Sequence, residues 1–305
     1  MPNQTTHHLL MIRPRNFAIG SNSHADNAFQ AIPKPGDQEA IVAAAIEEFD
    51  HYVATLRQAG LTITVVEDLP SPVLPDSVFP NNWFTTHDDG LVVTYPMHYP
   101  KRRLERRQDV LDLLDADHFI DRSLSLEHWE DSGLILEGTG SLVLDRANRI
   151  AYCSFSDRAH PQALHDWCDA MHYRPLSFHA YDRHGQAIYH TNVILAVGNT
   201  AALLGIDCIT DPAEQAKVVE SLAMTGKEII PLSHEQIEHF CGNALEVATP
   251  AGPAWVMSSQ AFHALEPEQV AALGAPIVHA PLDVIEKYGG GSARCMIAEI
   301  FLQPK

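Results

Sequence analysis

Four times along this chain a strand hairpin is followed by a helix and a further strand, at a spacing of roughly fifty residues. WFTTHDDGLVVTYPM alternates around Asp88-Asp89-Gly90 and leads into the helical run KRRLERRQDVLDLLDA. SLVLDRANRIAYCSF turns at Arg146-Ala147-Asn148 and precedes the helix PQALHDWCDAM. NVILAVGNTAALLGI turns at Gly198-Asn199 and precedes DPAEQAKVVESLAMTG, and ALEVATPAGPAWVMS turns at Pro250-Ala251-Gly252 and precedes PEQVAALG. Alternation and β-branched residues mark the strands, and Gly, Asn and Asp supply the turns. A last strand, CMIAEIFL, starts at Cys295 without a hairpin partner beside it. Near the other end MIRPRNFAIG reads as a lone strand, followed by the amphipathic helix EAIVAAAIEEFDHYVATLRQ and the strand LTITVV. Joining the two ends completes a fifth unit and closes a ring with no open sheet edge. Kelch blades share this period but are all strand. The expectation is therefore one closed, helix-decorated propeller over residues 1–305 rather than two domains.

With 20 basic and 39 acidic side chains the net charge is -19, which repels phosphate backbones and argues against nucleic-acid binding. There is no apolar run long enough to span a membrane, and MPNQTTHHLLMIRPRN lacks the pattern of a secretory signal. Cys153, Cys168, Cys208, Cys241 and Cys295 are odd in number and never form a C-x-x-C pair, so a reducing cytoplasm is expected. The 18 histidines show no H-E-x-x-H spacing, and no metal or other cofactor is expected. The expected partner is a small amino-acid substrate, with homo-oligomer formation left open.

In a ring of such units, the residues at the entry of each first strand converge on one axis. Asn82 stands there in the first unit, Glu137 in the second, and His190 and Asn192 in the third. Asn243 follows in the fourth and Cys295 in the fifth. A thiol, an imidazole and a carboxylate are the parts of cysteine-based covalent catalysis. Each alone has a plainer reading: Cys295 as a small core residue, His190 as a satisfied polar one, Asn82 and Asn192 as turn amides. Their shared register carries the case. Gly289-Gly290-Gly291-Ser292 before Cys295 lets backbone approach a ligand, and Arg294 favours a thiolate if it points inward.

DSVFPNN, LEGTGSLVLD, SFSDRAHP, YHTN and GGGSARCM together resemble the pentein, or guanidine-modifying, superfamily, and within it the citrulline-utilisation hydrolases. The resemblance spans essentially the whole chain and implies a five-bladed α/β propeller. It implies that Cys295 is the nucleophile, His190 the general acid/base and Glu137 the acid orienting His190. It gives Arg158, in Ser156-Asp157-Arg158, the substrate carboxylate. The superfamily places another arginine after the first hairpin, which raises Arg102 and Arg103, although a solvated helix face suits those two better.

The chain departs from the superfamily's deiminases at Asn82 and Asn192, where those enzymes resemble each other in using carboxylates to grip a guanidinium. Exchanging charged for neutral contacts at two positions costs about 3 kcal/mol. A neutral ureido group suits asparagine amides, which offer an acceptor and donors. The expected function is hydrolysis of the ureido group of citrulline or a related compound, giving ornithine, ammonia and carbon dioxide through a covalent Cys295 adduct. One rival is a deiminase or amidinotransferase acting on a guanidino compound, with charge from Glu137 or Asp76. Another is a non-catalytic propeller acting as scaffold or sensor.

Overall fold

The computed structural model describes residues 3–18 and 26–305, and five three-stranded sheets within them repeat one plan. Phe84–Thr86 and Leu91–Thr94 form an antiparallel hairpin, to which Arg122–Ser125 adds in parallel. Val143–Asp145, Ile150–Ser154 and Arg174–Phe178 repeat that order, as do Leu195–Val197, Ala201–Leu204 and Glu228–Pro231. Leu245–Thr249, Gly252–Ser258 and Ile277–Ala280 make the fourth sheet. The fifth is assembled from both ends: Ala298–Ile300 runs antiparallel to His8–Arg13, and Thr62–Glu67 lies parallel on the other side. The chain is thus mixed α/β, and the orphan strands at its two ends do pair.

Each step from second to third strand carries a helix, because a parallel return needs a crossover. These are Gln108–Asp117, Pro161–Met171, Pro212–Met224, the pair Ser259–Ala264 and Pro267–Ala272, and Gln38–Gln58. Local sequence fixes their starts. Asp211 accepts from the backbone N–H groups of Ala213 and Glu214, with Pro212 in the first helical position. In Gln38–Gln58 the buried residues Ile41, Ala45, Phe49, Tyr52 and Leu56 recur at three- and four-residue steps and share a core with Ala280 and Ile285. Each large side chain so buried contributes roughly 1.5–3 kcal/mol.

Three local expectations change. Of CMIAEIFL only Ala298–Ile300 is strand, and Cys295 stands in the turn before it. The strand in MIRPRNFAIG ends at Arg13, and Ile19 and Gly20 lie outside the described residues. KRRLERRQDVLDLLDA is not one helix but a short turn, Pro100–Arg103, followed by Gln108–Asp117. Pairing breaks it. Arg102 and Glu105 are buried against each other, Arg106 reaches Glu130, and Arg107 bonds Asp109 and the Glu67 carbonyl.

A short turn precedes each of the five first strands, and these turns position the site. Thr139 Oγ1 donates to the Asn81 carbonyl at 3.3 Å, and Thr191 Oγ1 donates to the Ser141 carbonyl at 2.6 Å. Asn243 Nδ2 donates to the Asn192 carbonyl at 2.9 Å, and its Oδ1 accepts from the Arg294 N–H at 3.1 Å. The turns are thereby linked from one module to the next. Gly242 permits one such approach, since a Cβ there would lie 2.3 Å from the Val193 carbonyl oxygen.

Among the described residues no helix is long and apolar enough to cross a membrane, and no group of three His, Cys, Asp or Glu is placed to hold a metal ion. All five cysteines are free.

Candidate active site

Cys295, His190, Arg158, Asn82 and Asp76 line one small cavity, with Glu137, Asn192 and Asn243 packed behind them. Its volume is about 20 Å³, room for one water. A larger cleft of about 490 Å³, lined by Arg122, Arg146 and Arg149, contains none of the expected site residues.

Two amides face the sulfur. Asn243 Nδ2 lies 3.2 Å from Cys295 Sγ and Asn192 Nδ2 lies 3.5 Å from it. Asn243 is itself oriented by the N–H groups of Arg294 and Cys295, which donate to its Oδ1. Arg294 does not point inward. Its guanidinium donates to Glu299 at 2.7 Å and to the Ile297 carbonyl at 2.9 Å. Burial pushes the Cys295 thiol above its ordinary range, opposed by Asn243, the Ser292 contact, Arg294 and Asn192. The resting sulfur is a thiol.

His190 Nε2 lies 2.9 Å from Glu137 Oε2. Glu137 is fully buried, and its other oxygen accepts from the His98 N–H at 2.9 Å. Arg158 and Arg102 flank it at 3.6 and 3.7 Å. Burial alone would raise the Glu137 carboxyl, but Arg158, His190 and Arg102 outweigh it and hold the group below the usual carboxylate range. For His190 burial acts downward, the two arginines add to it, and Glu137 opposes them, leaving the imidazole neutral at rest. The imidazole and the thiol share the cavity without a direct hydrogen bond between them.

Arg102 corrects the expectation of a solvated face. It is 3% exposed, it donates to Glu105 at 2.8 Å, and its Nη1 donates to Asn82 Oδ1 at 2.9 Å. Arginine has no acceptor, so this contact fixes the Asn82 amide with its oxygen toward Arg102. The Asn82 Nδ2 then turns to Asn81 Oδ1, at 3.1 Å. Arg103 stays at the rim, donating to the Met97 carbonyl and pairing with Glu130.

Arg158 is 2% exposed and lies between the rings of Tyr99 and Tyr189, 5.1 Å from each centroid. It is paired to Asp26, with Nε donating to Oδ2 at 2.8 Å and Nη2 donating to Oδ1. Tyr99 Oη donates to the same carboxylate at 3.0 Å. Asn27 Nδ2 donates to the Gly290 carbonyl at 3.1 Å, and Tyr189 Oη donates to that carbonyl too. Sequence reasoning missed Asp26, Asn27, Tyr99 and Tyr189. Tyr189 adjoins His190 in YHTN and was open to notice, whereas nothing local marks Asp26.

The family model described as "N,N dimethylarginine dimethylhydrolase, eukaryotic" matches residues 13–302. No curated protein matches the sequence. Among solved structures, the chain is similar to the N-terminal domain of ArgZ, an arginine dihydrolase from the ornithine-ammonia cycle in Cyanobacteria, seen as a cysteine-to-serine mutant bound to substrate. The TM-score is 0.75 at 16% identity, covering 97% of this chain and 98% of that one. Against the longer apo ArgZ the TM-score is also 0.75, and the match spans only 41% of that chain. A dimethylarginine dimethylaminohydrolase in an adduct with 4-chloro-2-hydroxymethylpyridine gives a TM-score of 0.66 at 14% identity, covering 98% and 100%. At such identities the likeness is one of fold.

Proposed function

Because the chain belongs to the N,N dimethylarginine dimethylhydrolase family, within the pentein superfamily, we propose that it is a cysteine-dependent C–N hydrolase of ureido or guanidino amino acids, with citrulline as substrate. The five sheets are read as the blades of one closed propeller, with the site where their first strands begin.

One observation carries the choice of a ureido group. Arg102 occupies the acceptor side of Asn82, so that amide has N–H, not oxygen, to offer a ligand. A guanidinium presents only N–H donors and a positive charge, and both are mismatched at Asn82. A ureido carbonyl oxygen accepts what Asn82 has left. Asn243 likewise points an N–H group at the reacting sulfur, while Asn192 turns both amide atoms to it, Nδ2 at 3.5 Å and Oδ1 at 3.8 Å.

The steps follow from the groups present. As substrate binds, the Cys295 proton passes to His190, whose imidazolium is stabilised by Glu137. The thiolate adds to the ureido carbon, and the developing oxyanion is met by amide N–H donors. The bond to the alkyl nitrogen breaks, and His190 returns the proton to that nitrogen. A carbamoyl thioester remains on Cys295. Water gives its proton to His190 and adds to this carbon, the C–S bond breaks, and carbamate decays to ammonia and carbon dioxide. Arg158 holds the substrate carboxylate.

A second reading takes arginine first, with ammonia leaving before the ureido step. Asp76 in the cavity lining, and the arginine dihydrolase among the similar folds, favour it. A product assay across citrulline, arginine, agmatine and methylated arginines tests both. Ornithine released from citrulline supports the first reading. Arginine turned over to citrulline, with citrulline inert, overturns it.

A further inference from the structure

The cleft of about 490 Å³ lies at the far ends of the strands that begin beside the Cys295 cavity. Phe84–Thr86 leads from Asn82 to His87, Val143–Asp145 from Ser141 to Arg146, and Ala298–Ile300 from Cys295 to Phe301. At roughly 3.3 Å per residue, such a run separates the two sites by about 15 Å. His87, Arg146 and Phe301 line the cleft, as do Arg149 and Tyr173. Arg146 is 5% exposed, and among the described residues its guanidinium has no hydrogen-bond partner. Its ion pair with Glu299 spans 3.8 Å, and Glu299 already accepts from Arg294 at 2.7 Å. Among the described residues Arg149 has no carboxylate partner either, and donates to the Met171 carbonyl at 3.4 Å. Both guanidiniums lie over rings that line the cleft. Arg146 Cζ is 4.1 Å from the Phe301 centroid, and Arg149 Cζ is 5.3 Å from that of Tyr173. Arg149 also stands at φ 53°, a left-handed conformation that glycine or asparagine takes at less cost.

We propose that Arg146 and Arg149 hold the oxyanion of a small organic ligand, a carboxylate or a phosphate monoester, at a second site remote from Cys295. A buried guanidinium without hydrogen bonds is costly, and acceptors are what such a ligand brings. Stacking covers the guanidinium faces and leaves the N–H edges, which take a carboxylate or phosphate through paired bonds. The third arginine of the cleft, Arg122, is already paired to Asp89. Asp88 lies in the lining too and repels a ligand carrying many negative charges. His87 is held well below its ordinary value by burial and by Arg146, Arg149 and Arg122, so the local field is positive. It is a local exception in a chain of net charge -19. The volume exceeds what a bare ion needs, and Leu91 and Met171 give an organic body an apolar wall. The proposal is independent of the reaction at Cys295.

The test titrates glutarate, glycerol 3-phosphate, inorganic phosphate and the neutral glutaramide into the full chain by calorimetry. At least one of the two organic anions should saturate with a Kd below about 1 mM, and glutaramide should not bind. Which anion binds tells a carboxylate ligand from a phosphate. Arg149→Gln, at an exposed position, should weaken binding at least roughly tenfold, as expected for a lost charge-assisted contact. Arg146→Gln should do at least as much, read together with its urea midpoint because that side chain is buried. If Arg146→Gln unfolds, Arg149→Gln decides alone. Arg122→Gln should leave binding within about twofold, since it breaks only an exposed ion pair. No saturation by either organic anion up to about 10 mM overturns the proposal, as does binding that Arg149→Gln leaves unchanged. Equal losses in Arg122→Gln and Arg149→Gln overturn it too, because they report overall charge and no site. Binding of inorganic phosphate alone, an adventitious ion only, also overturns it, and so does glutaramide binding as tightly as glutarate.

Discussion

Arg102 Nη1 donates to Asn82 Oδ1 at 2.9 Å, so a residue at the cavity wall has its amide orientation set by a buried cation. Replacing Asn82 and Asn192 together by Asp gives the wall acceptors and negative charge where it now has donors. The kcat/KM ratio of arginine to citrulline should rise on the order of 100-fold, from two exchanged contacts of about 1.5 kcal/mol each. Absolute rates should fall for both substrates, since Asp at 192 removes an N–H aimed at Cys295 Sγ. A ratio unmoved by the double substitution would sink the amide argument.

Cys295→Ser should lower ornithine release below detection while leaving the urea midpoint near that of the wild type. The other thiols differ from Cys295 in position, since burial raises Cys295 as well. Burial pushes Cys168, Cys208 and Cys241 up to about 12, and none lines the cavity. A haloacetamidine should therefore modify Cys295 first, with substrate protecting it. Mass mapping after brief exposure checks this, and indiscriminate labelling of all five would favour a non-catalytic scaffold.

Glu137→Gln should be costly twice. Removing one member of a buried ionic network typically destabilises by about 3–5 kcal/mol, here leaving Arg158 and Arg102 without their shared anion. The Glu137 carboxyl is held below its ordinary value, so its contribution is complete above that value and fades as pH falls toward the folded one. The stability gap between wild type and variant should thus be full at pH 7, begin to shrink only below about 4.5, and keep shrinking as the pH falls further. Losing Glu137 also removes what opposes the downward shift of His190, so kcat should drop about 100-fold.

Glu286 titrates the other way. It is buried, accepts from Ser292 Oγ at 2.5 Å and from Gln260 at 3.1 Å, and burial raises it to about 7. A carboxyl whose folded value is raised binds more protons when folded, so stability falls as pH rises from about 4.5 to about 7. The loss is on the order of 3 kcal/mol. Glu286→Gln should flatten that slope, read from urea midpoints at pH 5 and pH 8. Ser292 belongs to the segment carrying Cys295, so the activity profile should lose an inflection near neutrality as well.

The site residues that sequence made legible are those repeating at one step of a periodic plan. Asn82, Glu137, Asn192, Asn243 and Cys295 all sit in turns that introduce a first strand, and a period carries such positions from one module to the next. Arg102 was misread because KRRLERR looks like a charged helix face. What buries it is tertiary: Glu105 on one side, Glu137 and Asn82 on the other. Asp26 belongs to no repeat, and its partner Arg158 lies 132 residues away. No local pattern announces a contact of that range.

Gly140 gives the sharpest test of how closely these turns must meet. In LEGTGS it reads as an ordinary loop glycine, yet a Cβ there would lie 2.5 Å from Asn82 Nδ2 and 2.7 Å from His190 Nδ1. Both neighbours are held from behind, Asn82 by Arg102 and His190 by Glu137, so neither yields without losing a hydrogen bond. Gly140→Ala should therefore displace the imidazole or the amide by several tenths of an ångström. A misplacement of about 1 Å costs roughly 100-fold, so one of several tenths should lower kcat by roughly 10-fold, while the propensity of the short helix is if anything improved. The expected signature is a large fall in kcat with little loss of thermal stability, the reverse of an ordinary packing defect. Full activity in Gly140→Ala would mean that the Asn82–His190 spacing is not what the reaction depends on.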